Sequence, residues 1–237
     1  VSLVLVAHGS RDPRSAATIA ALADVVRAAR PGLDVRVAFL DLSAPRVGDV
    51  LAGLSRAVIV PLLLGRAFHA DVDLPNLVHE AVARNPRLSV AVSSVLGPDP
   101  LLRRAAVRRL RESGVSLDDP SLGIVVAAAG SSRRSSTDAV HALARSWPRA
   151  RAAFASAGSP TVDDAVAALR SAGARRLAVA SWFLAPGRLP DRIEAAIHAI
   201  DPSAIIAEPL GPAPEVAELV LRRHDEAATE EATARYA

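Results

Sequence analysis

Residues 4–11 read VLVAHGSR and residues 125–132 read VVAAAGSS. The same apolar run closing on a Gly-Ser turn is thus written twice, with Ala129 in the second copy where the first has His8. Farther on, PLLLGRAFHADVDLP (residues 61–75) is echoed by SWFLAPGRLPDRI (residues 181–193), with Leu189 where His69 would fall. Each copy then closes on a similar turn, LGPDP (96–100) and LGPAP (210–214). The duplication predicts two lobes of one architecture, residues 1–118 and 119–237. Turns and apolar strands are kept while both imidazoles are lost. One chemical site is therefore expected, in the first lobe, with the second serving as wall and support.

Within each copy, short apolar runs alternate with amphipathic ones. Strands are expected at 3–7, 35–40, 57–64 and 88–95, and helices at 15–29, from Pro45 to about 54, at 74–84 and at 101–113. Pro45 suits a first helical turn, and the run at 57–64 is apolar on both faces, as a central parallel strand should be. A linker at 115–121 carries the breakers Asp118, Asp119 and Pro120. The second copy repeats the order, with strands at 123–128, 150–155, 176–183 and 204–208. Its helices are expected at 137–147, 162–172, 191–200 and 214–224, followed by a frayed helix or tail at 226–237. The fold class is α/β: two similar doubly wound lobes, each a parallel sheet covered by helices on both faces.

Composition narrows the chemistry. Half of the residues are apolar (51%), ample for two cores, and there is no Cys, which excludes disulfides, zinc-thiolate sites and iron–sulfur clusters. Every one of the 28 basic residues is Arg, against 25 acidic ones, for a net charge of +3. The pI of 10.6 reflects how little titrates between His and Arg, and the Arg residues are scattered among Asp and Glu. No nucleic-acid partner is expected. No apolar run approaches the ~20 residues that span a bilayer, and the first strand begins at once without a signal-like segment. A cytoplasmic protein with no membrane partner is expected.

Ligands of open α/β sheets gather beyond the carboxyl ends of the strands, where the chain order reverses. His8 follows the first strand, Asp41 the second, and His69 lies just beyond the third. Two imidazoles and a carboxylate form a borderline donor set, suited to Co²⁺, Fe²⁺, Ni²⁺ or Zn²⁺ and poor for Ca²⁺ or Mg²⁺. With three protein ligands, positions stay open for water or substrate. Each residue also has a plainer reading: a strand-end His that hydrogen-bonds locally, and an Asp that begins the turn before Pro45. His79, His141, His198 and His224 fall in helical patterns and are read as surface or interface residues. The loop at residues 9–13, GSRDP, offers backbone N–H groups and the Arg11 fork to an anion, or is a Gly turn with Ser10 or Asp12 as N-cap. A further anion fits the Gly-Ser-Ser at 130–132 with Arg133 and Arg134. No Walker lysine, GxGxxG or GxSxG is present.

AHGSRDP, FLDL ahead of the Pro45 helix, and PLLLGRAFHADVDLP resemble the sirohydrochlorin chelatases, class II chelatases that insert cobalt or iron into a tetrapyrrole. FLAPGRLPDRI followed by LGP is similar to the C-terminal lobe of their long, two-lobed members. The resemblance implies flavodoxin-like strand order and two lobes facing across a cleft that holds the tetrapyrrole. It implies that His8 binds metal and accepts a pyrrole proton, and that His69 is the second ligand. Asp41 stands where the family usually has Glu, one methylene longer, and acts directly or through water. A neutral imidazole serves as both ligand and base near neutral pH. Ser10, Arg11 and Arg66 are the nearest donors for the substrate's carboxylates, Arg133 a further one, and Phe68 would flank the macrocycle. The metal is itself a substrate, so no organic cofactor is expected; the donor set accepts Co²⁺, Fe²⁺ or Ni²⁺ without choosing. A monomer is expected, since one chain holds both lobes. The alternative is a protein of this fold that binds or delivers metal or tetrapyrrole without catalysis.

Overall fold

Every residue of SLVLVA is buried, which requires cover on both faces and places this run at the centre of a sheet. The computed structural model describes residues 1–65, 73–131 and 134–236, with the backbone alone at 234–236. In it the run is β1 (Ser2–Ala7), flanked by β2 (Val35–Phe39) and β3 (Arg56–Pro61), with β4 (Ser89–Val92) outside β3. All pairs are parallel, Leu3 opposite Val35 and Val58. The helices α1 (Pro13–Ala29), α2 (Val47–Ala52), α3 (Leu74–Arg84) and α4 (Pro100–Glu112) follow the strands in turn. A second sheet repeats the order: β6 (Ala150–Phe154), β5 (Leu122–Ala128), β7 (Arg176–Ser181), β8 (Ile205–Ile206). Its helices are α5 (Arg134–Arg145), α6 (Val162–Ser171), α7 (Arg188–Ile200) and α8 (Pro214–Tyr236). The expected α/β class, parallel strands and strand order are as observed. Val4, Val6, Leu51 and Ile59 anchor the first core, and Val125, Val166, Leu169 and Val179 the second.

The repeat extends to single hydrogen bonds. Phe39 N–H donates to the Pro45 carbonyl at 2.9 Å, as Phe154 does to Pro160 at 3.1 Å. Asp41 N–H donates to His8 O and Ser156 N–H to Ala129 O. Leu96 N–H donates to Leu63 O and Leu210 N–H to Phe183 O. At the Gly-Ser turn, Gly9 (φ +96°) lies so near the second-strand loop that a Cβ would stand 1.7 Å from Asp41 O. Gly130 (φ +87°) stands in the same relation to Ala157 O, at 1.8 Å. Only glycine meets both demands, a left-handed backbone and no side-chain volume.

Element boundaries shift where long-range bonds intervene. The second helix starts at Val47 rather than Pro45, because the Pro45 carbonyl is drawn back to Phe39. The third strand ends at Pro61, where Leu63 N–H turns to the Pro61 carbonyl. Of the two expectations for the terminal segment, frayed helix or tail, the structure has helix: α8 continues through Tyr236. Ala227 is buried there, and Glu231 accepts a 2.6 Å hydrogen bond from Ser89 Oγ on β4. His224, expected at the surface or an interface, is also buried; its Nδ1 bonds to Asp225 and its Nε2 has no hydrogen-bond partner among the described residues.

By contacts the chain forms two compact units, Val1–Leu102 with Pro212–Ala237, and Arg103–Gly211. This division differs from a single cut after residue 118. Each sheet keeps the strands of its own sequence half, whereas α8 packs on α1, β3 and β4 and so completes the first unit. Among the described residues no helix is long and apolar enough to cross a membrane.

Two outcomes are expected. Gly9→Ala adds a backbone collision to left-handed strain, so it should cost well over the roughly 1–2 kcal/mol of strain alone. Gly32→Ala supplies that baseline, because Gly32 (φ +87°) has nothing within 4 Å of an added methyl. Urea unfolding compares the two, and equal costs would contradict the contact with Asp41 O. The second concerns Asp225, whose oxygens accept from Arg30 at 2.5 and 2.7 Å. Arg30 first, then His224, lowers its carboxyl pKa to about 2. A lowered carboxyl pKa stabilises the fold above the unfolded value of about 3.9, and the gain is lost as pH falls toward 2. The Asp225 side chain is 52% exposed, which limits the gain to under ~1 kcal/mol. Asp225→Asn should flatten the urea midpoint between about pH 4 and pH 2; an unchanged slope would show that the pair contributes nothing.

Candidate metal centre

Ala7 and Phe39, the last residues of β1 and β2, are register partners. Beyond them the two chains stay paired, with Leu40 N–H on Ala7 O at 3.0 Å and Asp41 N–H on His8 O at 2.9 Å. The imidazole and the carboxylate therefore leave adjacent strands at the same level. With Leu40 and with Asp73, Asn76 and Leu77 from the start of α3, they line a recess of about 350 Å³. This recess lies at the carboxyl edge of the first sheet, beside the point where the order reverses from β1 to β3. His8 is solvent-exposed.

Asp41 is held by one oxygen. Its Oδ1 accepts from Arg46 Nη1 at 2.8 Å and from Leu42 N–H at 2.7 Å, while Arg46 Nη1 also donates to Leu40 O at 3.0 Å. No hydrogen bond to Oδ2 is found among the described residues. The Arg46 bond above all, then the Leu42 N–H, and more weakly the His8 charge, hold the Asp41 carboxyl below the usual carboxylate range. It is anionic at neutral pH and can offer Oδ2 to a cation or to a water on one. Among the described residues no cluster of three His, Cys, Asp or Glu side chains suited to a metal is present. His69, Arg66 and Phe68 lie outside the described residues, as does Arg133.

The loop after β1 resolves its two readings in part. Asp12 is the N-cap of α1, accepting from Arg14 N–H at 2.9 Å and gripping the Arg14 guanidinium. Ser10 Oγ accepts from Asp12 N–H, and the Ser10 backbone exchanges hydrogen bonds with the Ser43 hydroxyl at 2.9 and 3.0 Å. Ser10 therefore ties the two loops together. Arg11 is exposed and makes no hydrogen bond or ion pair among the described residues, which leaves its fork available to an anion.

In the second half the same frame carries no such donors. Ala129 stands for His8, Ser156 for Asp41 with its hydroxyl turned to Ala129 O at 2.6 Å, and Leu189 packs against the second core. His141 and His198 donate to the backbone carbonyls of Ser159 and Ala204 at 3.2 Å. Three participants escaped the reading of the sequence: Arg46, Asp73 and Asn76. The available signal was position, since the first turn of a helix that follows a sheet strand faces the same carboxyl edge as the loops.

A family model described as CbiX matches residues 2–113 and again 123–227, once on each half of the duplication. The sirohydrochlorin cobaltochelatase of Priestia megaterium is 24% identical over 210 residues, spanning 81% of this chain and 67% of its own length. The sirohydrochlorin ferrochelatase of the same organism is 24% identical over 227 residues, 89% and 84% of the two chains. Among solved structures, SirB from Bacillus subtilis with Fe³⁺ superposes with a TM-score of 0.78 at 22% identity, covering 98% of this chain and 97% of that one. At that identity the match shows a shared fold.

The hold of Arg46 on Asp41 is directly measurable. In Arg46→Met the Asp41 carboxyl should titrate closer to the ordinary carboxylate range, followed by ¹³C NMR of the side-chain carboxyl. Titration identical to the wild type would mean that the guanidinium is not the main cause of the shift.

Proposed function

This chain belongs to the CbiX family, and on that premise we propose that it inserts a divalent metal ion, Co²⁺ or Fe²⁺, into sirohydrochlorin. The observation that carries the reading is the convergence of His8 and Asp41, from the ends of neighbouring strands, on one open recess. Insertion exchanges two pyrrole N–H protons for one M²⁺. His8 is the first ligand; once the ion passes into the macrocycle, its Nε2 or Nδ1 is released to accept one of those protons, and the second passes to water in the open recess. His69 is the second ligand, on the strength of its place beyond β3, and Asp41 offers Oδ2 directly or through water. The ligand set is borderline and incomplete, so the ion is held long enough to shed water and weakly enough to leave.

Arg11, unengaged at the edge of the same loop, is proposed to meet a carboxylate of the substrate periphery; Arg66 and Ser10 are proposed as further donors to its carboxylates and Phe68 as a contact for the macrocycle. The metal is a substrate and no organic cofactor is invoked. The working unit is a single chain in the cytoplasm, with neither nucleic acid nor membrane as partner.

The test is anaerobic mixing of protein, sirohydrochlorin and Co²⁺ or Fe²⁺, following the absorption change of the macrocycle. The wild type should exceed the protein-free rate, and His8→Ala or His69→Ala should lose about 100-fold or more, the scale of a lost base and ligand. Stoichiometric binding with no acceleration would replace the enzyme by a delivery protein.

A further inference from the structure

Leu42 stands out on two independent measures. Its φ of +59° places it in the left-handed region, which a side chain bearing a Cβ rarely adopts and which is found at functional sites when the surroundings enforce it. It is also 45% exposed, one of four large apolar residues so exposed among those described. It directly follows Asp41, which lines the recess with His8.

The second half supplies an internal control. Counted from Phe39 and Phe154, whose N–H groups bond to Pro45 and Pro160, the two loops have equal length, and Leu42 corresponds to Ala157. There the left-handed position falls one residue later, on Gly158 (φ +117°). The turn can therefore be built with glycine and a small neighbour. Its own closure does not call for an exposed leucine in the first half.

The strained residue is nonetheless fixed. Leu42 N–H donates to Asp41 Oδ1 and Ser43 N–H to Asp41 O, each at 2.7 Å. The Ser43 hydroxyl in turn is locked to the Ser10 backbone. The loop is rigidly displayed beside the metal-handling residues, at no gain to the core. We infer that Leu42 is a substrate-binding residue, an apolar contact for the macrocycle of the tetrapyrrole, held in a left-handed turn next to Asp41. A flat ligand, apolar at its centre and anionic at its edge, matches Leu42 together with the unengaged Arg11. The inference rests on the chelatase reading for the identity of the ligand.

Leu42→Asn and Leu42→Gly both suit the left-handed backbone and remove the apolar contact, while Leu42→Met keeps it. Melting temperatures of the first two should equal or exceed that of the wild type. Their dissociation constants for sirohydrochlorin, read by absorbance without metal, should rise about tenfold, the size expected for covering roughly half of a leucine side chain. Leu42→Met should stay within twofold, and the affinity for Co²⁺ alone should stay within twofold in all three. Unchanged tetrapyrrole binding in Leu42→Asn and Leu42→Gly, or lower melting temperatures accompanying weaker binding, would overturn the inference. A tenfold weakening in Leu42→Asn and Leu42→Gly, with a wild type that binds sirohydrochlorin but does not accelerate insertion, would uphold the contact while sinking the chelatase reading. Failure of the wild type to bind sirohydrochlorin would overturn both.

Discussion

The close approach of Gly9 to the carbonyl of Asp41 governs the geometry of the first half. With a left-handed backbone and no Cβ, Gly9 lets the loop after β1 lie directly on the loop after β2. That contact brings His8 O within reach of Asp41 N–H and lets the Ser43 hydroxyl bridge to the Ser10 backbone. An imidazole and a carboxylate thus stand side by side although 33 positions apart in the chain. Gly130 makes the same approach to Ala157, so the constraint belongs to the repeated frame and is independent of the chemistry mounted on it.

What differs between the halves is that chemistry. Ala129, Ser156 and Ala157 replace His8, Asp41 and Leu42, and in the second half Ser156 is bonded through both its N–H and its hydroxyl to Ala129 O. The first half instead exposes a His, an anionic carboxylate and a leucine in the left-handed region, where a side chain bearing a Cβ is strained. Arg46 adds a further layer: it holds the Asp41 carboxyl below the usual carboxylate range while occupying only one of its oxygens. Asp41 is thereby anchored through Oδ1 at the edge of the recess it lines with His8.

Charge plays a different part on the far side of the same unit. The α8 helix is secured by Arg30 on Asp225 and by Ser89 on Glu231, pairs that join positions more than 100 residues apart. These bonds, with Ala227 buried beneath them, turn an Ala- and Glu-rich terminal segment of ordinary helix propensity into a docked helix.

Sequence alone determined the α/β class, the duplication, the order of elements and the candidacy of His8 and Asp41. Local period and turn chemistry encode all of these: α3 was legible as residues 74–84 because its apolar spacing and Pro75 are local signals. Tertiary structure decided that the loop carrying His8 lies directly on the loop carrying Asp41, with Gly9 against Asp41 O and Ser10 tied to Ser43. It also decided that Asp73 and Asn76 share the recess, that His224 is buried, and that α8 belongs with the first sheet. Each of these depends on a partner distant in sequence, and no window along the chain contains both members of such a pair. Hydrogen bonds and burial across the fold, unlike periodicity, exist only once the strands have been set in register.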